Sequence, residues 1–185
     1  QVDLFVISNN ATNAKGLLNV TGINAVTYTD ASPTVPELWP KLVDAQRQVH
    51  VGRFLPAREV YMHPNRWAWL QAALDSNSRP YVTDDVDFPM LGMSVGSVPE
   101  GLAGKIRGLA LPVFLDANIP VNLGSGTNED RIIVIRPEDS VLYESAPKAE
   151  AFRETEAKEL QVVFRLYNYV ALLNARAPKS ISVIS

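Results

Sequence analysis

Cysteine is absent from this chain of 185 residues, which removes disulfides, thiolate metal sites and cysteine nucleophiles together. That suits a reducing cytoplasm. Histidine occurs only twice, as His50 and His63, with no Asp, Glu or Cys at the spacing a zinc site needs. Apolar runs of 18 residues are missing, as are a basic leader region and a small-residue cleavage site. The sequence therefore reads as having neither a transmembrane span nor a signal peptide. Long basic blocks are missing too: 17 Lys and Arg stand against 20 Asp and Glu, a formal charge of -3. This is not the electrostatic footprint of a dedicated nucleic-acid binder. Internal repeats, heptads and low-complexity segments are also lacking. The sequons at Asn10 and Asn19, in a chain with no secretory signal, read as chance.

What is present is an ordinary globular composition, 46% apolar and 20% charged, enough for one domain or occasionally two. The most informative stretch is the last 26 residues, 160–185. Leu160, Val162, Phe164 and Leu166 alternate with Gln161 and Arg165, the period of a strand with one buried face, and Val163 interrupts the polar side. From Tyr169 to Leu173 the run is apolar on both sides, as in a strand entering the middle of a sheet. Arg176-Ala177-Pro178 breaks it, and Ile181, Val183 and Ile184 predict a short closing strand. At the other end the chain runs at once from Gln1 into apolar sequence, which suggests either a piece cut from something longer or a buried first element.

Between the ends, residues 9–33 are rich in Asn, Thr, Gly and Ser and predict turns and short extended pieces, with Gly16-Leu17-Leu18 as an apolar anchor. Thr34 and Glu37 have capping-box spacing, and Leu38, Leu42, Ala45 and Val49 share one helical face. Pro40 places the first regular turn at 37–40. Glu59–Met62 predicts a strand. Pro64 opens a second helix, with Trp67, Leu70 and Leu74 on one face and 75–78 ending it. Residues 79–104 are broken by Pro and Gly. Strands follow in 105–120, around a kink, and at 131–136 and 140–143, separated by the turn Pro137-Glu138-Asp139. The order is α+β.

The chemical inventory is thin. His50 and His63 read as capping or surface residues. Asp84-Asp85-Val86-Asp87 lacks the glycine and the final glutamate of a calcium loop. Gly124-Ser125-Gly126-Thr127 has the look of an anion-binding turn without the lysine of a phosphate loop, and Ser125 has no nucleophile-elbow context. Of Trp39, Trp67 and Trp69, Trp67 fits a core, while Trp69 falls on a different helix face, which suits a protein contact or a satellite core. No catalytic, cofactor-binding or metal-ligating residue is assigned.

Several segments in their order resemble one family. The sequence HPNRWAWLQAALDSNSRPYV (63–82) is similar to the "Asn-Pro, Trp-containing helix, Arg-Tyr turn" segment of tailed-bacteriophage major capsid proteins of the Hong Kong 97 type. LALPVFLDANIP (109–120) looks like that family's hydrophobic-Pro-Val strand. Arg176-Ala177-Pro178 resembles its "Arg-Pro" break, and LFVISNNATNAKGLLNV (4–20) resembles the segment after its long spine helix. The resemblance spans most of the chain and rests on order, with no single specific motif. It implies an α+β fold with a central β-sheet flanked by helices. The axial domain would take 1–150, a peripheral-domain strand 151–165, and closing strands of the axial sheet 166–185. The N-terminal arm, extended loop and most of the spine helix would lie upstream.

Some relatives weld their shells by a Lys–Asn isopeptide bond promoted by a glutamate. Gln161 and Asn168 fall near the asparagine and glutamate positions here, so no self-crosslinking is expected. The resemblance implies a structural subunit of a phage or prophage capsid, not an enzyme and without cofactors. It would meet its own copies in pentamers and hexamers, with scaffolding and portal proteins as further partners. DNA would be touched only non-specifically, and there would be no membrane partner. Assembly would take place in the bacterial host cytoplasm, with Thr83–Gly104 and Asn122–Asp130 as candidate inter-subunit loops. The alternatives are an encapsulin-type nanocompartment shell, a small α+β enzyme using Asp84–Asp87 or Gly124–Thr127, and a monomeric binding module using Trp69.

Overall fold

The computed structural model describes residues 6–7, 10–11, 14–30, 32–74, 76–78, 102–106, 109–152 and 163–185. Twelve strands and two long helices are described, and six strands form one mixed sheet. In chain order the strands are β1 Asn10–Ala11, β2 Ala14–Lys15, β3 Asn24–Val26, β4 Glu59–Met62, β5 Leu102–Ile106 and β6 Leu111–Leu115. They continue as β7 Ile132–Ile135, β8 Val141–Glu144, β9 Lys148–Phe152, β10 Val163–Tyr167, β11 Val170–Leu173 and β12 Ile181–Ile184. The helices are α1 Val35–Arg53 and α2 Pro64–Ala72. The central sheet runs β3-β12-β7-β4-β6-β5.

Both faces of this sheet are covered, so β7 and β12 are buried at every position, β7 wholly apolar and β12 apolar except for Ser182. On one face Val60, Met62, Val113, Ile132, Val134 and Ile184 pack under α1 and α2. Register explains the set: Val60 lies opposite both Val134 and Val113, and Ile184 opposite Ile132. On the other face Ile133, Ile135, Ile181 and Val183 are covered by Ile7, Leu17, Val20 and Ile119. The Gly16-Leu17-Leu18 anchor thus sits on a second core, with Leu17 in a short 3-10 turn. The two described long helices share one face instead of flanking the sheet on both sides.

Helix α1 takes the phase read from the sequence, burying Leu38, Leu42, Ala45 and Val49. The Glu37 carboxylate accepts hydrogen bonds from the Thr34 N–H and hydroxyl at 3.1 and 2.6 Å. The helix begins at Val35, before the predicted 37–40, and Pro40 lies inside it. At that depth the missing N–H leaves only the Pro36 carbonyl unbonded, a defect the packed face tolerates. Near its end, Gly52 allows the Pro178–Ser180 turn to approach, since an added Cβ would lie 3.2 Å from the Lys179 Cβ.

Helix α2 opens on Pro64 as predicted, and it buries Trp67 and Leu70. Leu74 is a correction: the helix ends at Ala72, and Leu74 is exposed beyond it. The strands predicted at 131–136 and 140–143 are β7 and β8, and 105–120 contributes parts of the β5–β6 hairpin.

The C-terminal reading needs a larger correction. Ile181–Ile184 is a central strand, parallel to β3 and antiparallel to β7. The run Tyr169–Leu173 does not enter a sheet's middle. β11 pairs only with β8, and β10 only with β9, among the described residues. These strands form one long antiparallel ribbon, shifting register by one residue at Ser145-Ala146-Pro147, where Pro147 has no N–H to give. The alternation at Phe164 and Leu166 is real, but the face it defines is exposed because, among the described residues, no second layer lies behind the ribbon.

Candidate functional site

The ribbon is the part of the molecule whose surface the rest of the chain does not explain. Its root is anchored: Leu172 is buried, the Asn174 Nδ2 donates to the Lys15 carbonyl at 3.2 Å, and the Ser140 hydroxyl donates to Asn174 Oδ1. Beyond the root its two faces differ. Partners in register share a face, and successive residues alternate. One face carries Lys148 opposite Tyr167 and Glu150 opposite Arg165. Here the Tyr167 hydroxyl donates to Glu150 at 2.7 Å, the Arg165 guanidinium lies 4.9 Å from the Tyr167 ring, and Tyr169 meets Tyr167 edge-on. That hydrogen bond, with burial and the carboxylate charge, raises the Tyr167 phenol above its ordinary range.

The opposite face pairs Phe164 with Ala151 and Leu166 with Ala149. Alanine leaves the large neighbours uncovered, so Phe164 is 77% and Leu166 75% exposed. A two-stranded ribbon is marginal by itself in water, and adjacent exposed large apolar residues mark a contact surface.

A second unexplained apolar group stands at the C-cap of α1. Phe54 adopts φ 58, the left-handed region usually left to glycine, and it is 88% exposed. Such backbone costs on the order of 1–2 kcal/mol for a residue with a Cβ. Sequence reasoning missed this position. Pro56 was the available signal, since proline follows helix ends and so places Phe54 at the cap.

The loop 122–130 was a candidate and is stitched to itself, Leu123 and Glu129 exchanging backbone bonds of 2.9 and 3.0 Å. The Glu129 carboxyl crowds Gly124, its carbon 2.1 Å from where a Cβ would lie, and it accepts from the Arg131 guanidinium at 2.9 Å. Asp130 pairs with Arg66, whose guanidinium also lies 5.0 Å from the Trp69 ring. Between this loop and the start of α1 lies a cavity of about 410 Å³, lined by Tyr28, Thr29, Pro33, Leu38, Arg66 and Ser125 among others.

The remaining candidates are not brought together. His63 caps α2, its Nδ1 accepting from the Asn65 N–H at 3.1 Å, and His50 is exposed on the last turn of α1. Trp67 is core, Trp69 is half-buried against it, and Trp39 is exposed on α1. Asp84–Asp87, Gln161 and residues 83–101 lie outside the described residues. Asn168 donates to Glu144 at 2.6 Å on the ribbon. Among the described residues no group of three or more His, Cys, Asp or Glu could hold a metal ion, and no helix is long and apolar enough to cross a membrane.

No family model matches the sequence, and no curated protein does. Solved structures do match in fold. The capsid of an empty GTA particle aligns with 98% of this chain at a TM-score of 0.61 and 12% identity. A structure of Gordonia phage Cozz aligns with 100% of it at 0.56 and 15% identity. A virus-like particle from Pyrococcus furiosus aligns with 91% at 0.53 and 14% identity. This chain spans 59%, 58% and 58% of those chains, respectively. The fold is the Hong Kong 97-type capsid fold, α+β with a central mixed sheet.

Proposed function

We propose that this chain belongs to a structural subunit of an icosahedral phage or prophage capsid, which self-assembles around five- and six-fold axes to enclose double-stranded DNA. The observation that carries the reading is the backbone likeness to capsid structures along nearly the whole chain. A fold by itself does not fix a function, so the surface matters as well. A ribbon with one face carrying a Tyr167–Glu150–Arg165 cluster and one bare apolar face has the design of a part completed by a neighbouring copy. In this assignment the six-stranded sheet and its helices form the axial unit, and the ribbon of β8–β11 the peripheral one. The net charge of -3 suits an inner wall that does not trap packaged phosphates. Scaffolding and portal proteins would be further partners, with assembly in the host cytoplasm.

The test is light scattering and electron microscopy on the product of the complete reading frame. Megadalton closed particles holding nuclease-protected DNA support the proposal. Particles filled with protein cargo would move the assignment to a nanocompartment shell, and a monomer under all assembly conditions would overturn both.

A further inference from the structure

We propose that Phe54 anchors a head-to-tail contact between copies of this chain, its ring seated in the cavity at the start of the neighbouring copy's α1. The inference rests on the shell reading and gives it a specific side-by-side contact.

The first ground is that the described residues supply no reason for Phe54. Its backbone is left-handed, its ring is 88% exposed, and the neighbouring Leu55 is exposed as well. Glycine would relieve the backbone at no loss of core, so whatever holds the phenyl favourable lies outside the described residues, and a neighbouring copy supplies it here. The second ground is the cavity. It has room, since a pocket of roughly 150 Å³ is enough for a benzene ring and this one is about 410 Å³. Tyr28, Pro33 and Leu38 give it apolar wall, and the Arg66 guanidinium can meet a ring face, as it already does with Trp69.

The third ground is placement. Pro33 and Leu38 flank the first turn of α1 and Phe54 caps its last, so projection and cavity lie about 28 Å apart along a helix of 19 residues. They cannot meet within one chain. A projection at one end and a receptor at the other make a heterologous contact, the kind that closes into rings. Charge agrees in sign. Around Phe54, Arg53, Arg58 and Arg136 outnumber Glu138 and Asp139. Around the cavity, Asp30, Glu129 and Asp130 outnumber Arg66 and Arg131.

The experiment uses the complete reading-frame product. Phe54→Gly should leave the melting temperature of the unassembled protein unchanged or raised, because the left-handed position accepts glycine. The assembled fraction at matched concentration should fall at least tenfold. A Phe54→Gly protein that assembles like the wild type overturns this contact and leaves the shell reading standing. A wild type that never assembles removes both. Because the sequence has no cysteine, position can be tested directly. The double variant Phe54→Cys/Ser125→Cys should give a covalent ladder on oxidation of assembled material, whereas Phe54→Cys/Phe164→Cys should not. A ladder from the second pair alone would place Phe54 on a neighbour's ribbon and overturn the proposal.

Discussion

The Arg53 guanidinium grips Asp139 with both nitrogens that face it, Nε at 2.8 Å and Nη2 at 3.0 Å from the two carboxylate oxygens. The pair joins the last turn of α1 to the 3-10 turn Pro137–Asp139, through which the chain leaves the central sheet for the ribbon. The bond from Asp139 raises the arginine further above its ordinary range, so the guanidinium stays charged at any working pH. Asp139→Asn keeps the shape and removes the charge. It should lower the melting temperature modestly, by less in high salt than in low, and quicken proteolysis at the ribbon root. Equal melting curves at both salt concentrations would show that the pair contributes nothing.

Ile133 is fully buried in β7, on the sheet face covered by the N-terminal segment and opposite Val183 and Tyr61. Truncation to alanine removes methylenes where neighbours on both flanking strands block collapse. Ile133→Ala should cost about 2–5 kcal/mol in urea unfolding. A loss below 1 kcal/mol would mean that this face is loosely packed.

The bare face of the ribbon should behave oppositely. Phe164→Ser/Leu166→Ser removes two exposed side chains that touch little in the monomer. Monomer stability should change by no more than about 0.5 kcal/mol. Assembly of the complete product should be lost. A variant that builds particles normally would remove the ribbon face from the list of contacts.

Tyr167 carries a pH signature. Its folded phenol titrates above the ordinary value, held neutral first by its bond to Glu150. A raised folded value means that the stabilisation is fully present below about pH 10 and is lost as pH rises through the folded value. Ultraviolet titration of Glu150→Gln should show one tyrosine ionising at lower pH than in the wild type. Superimposable curves would show that the bond does not persist in solution.

These four sites also separate what could be read along the chain from what could not. The burial phase of α1, the strand at Glu59–Met62 and the Pro64 helix start follow from local spacing and appear at those residues. Helical spacing predicts Leu74 buried and strand alternation predicts the same of Phe164 and Leu166, and all three are exposed. Leu74 is exposed because the helix ends at Ala72, and the other two because no described residue packs on their face. At the Gly124–Thr127 turn the glycine-rich string does not record that the Glu129 carboxyl packs against Gly124. Phe54 carries no periodic signature, because it is a single aromatic just past a helix end.

Sequence by itself determined the α+β class, the phase of each helix and the alternation of the strands, since these depend on side chains a few residues apart. It also settled the absence of thiol chemistry. Tertiary structure alone decided which apolar faces found a covering layer. It inserted Ile181–Ile184 between Asn24–Val26 and Ile132–Ile135, left β8–β11 standing as a bare ribbon, and set Phe54 and the cavity at opposite ends of one helix. The reason is that burial belongs to pairs of segments brought together from far apart in the chain, and no property of either segment alone records whether the other arrives.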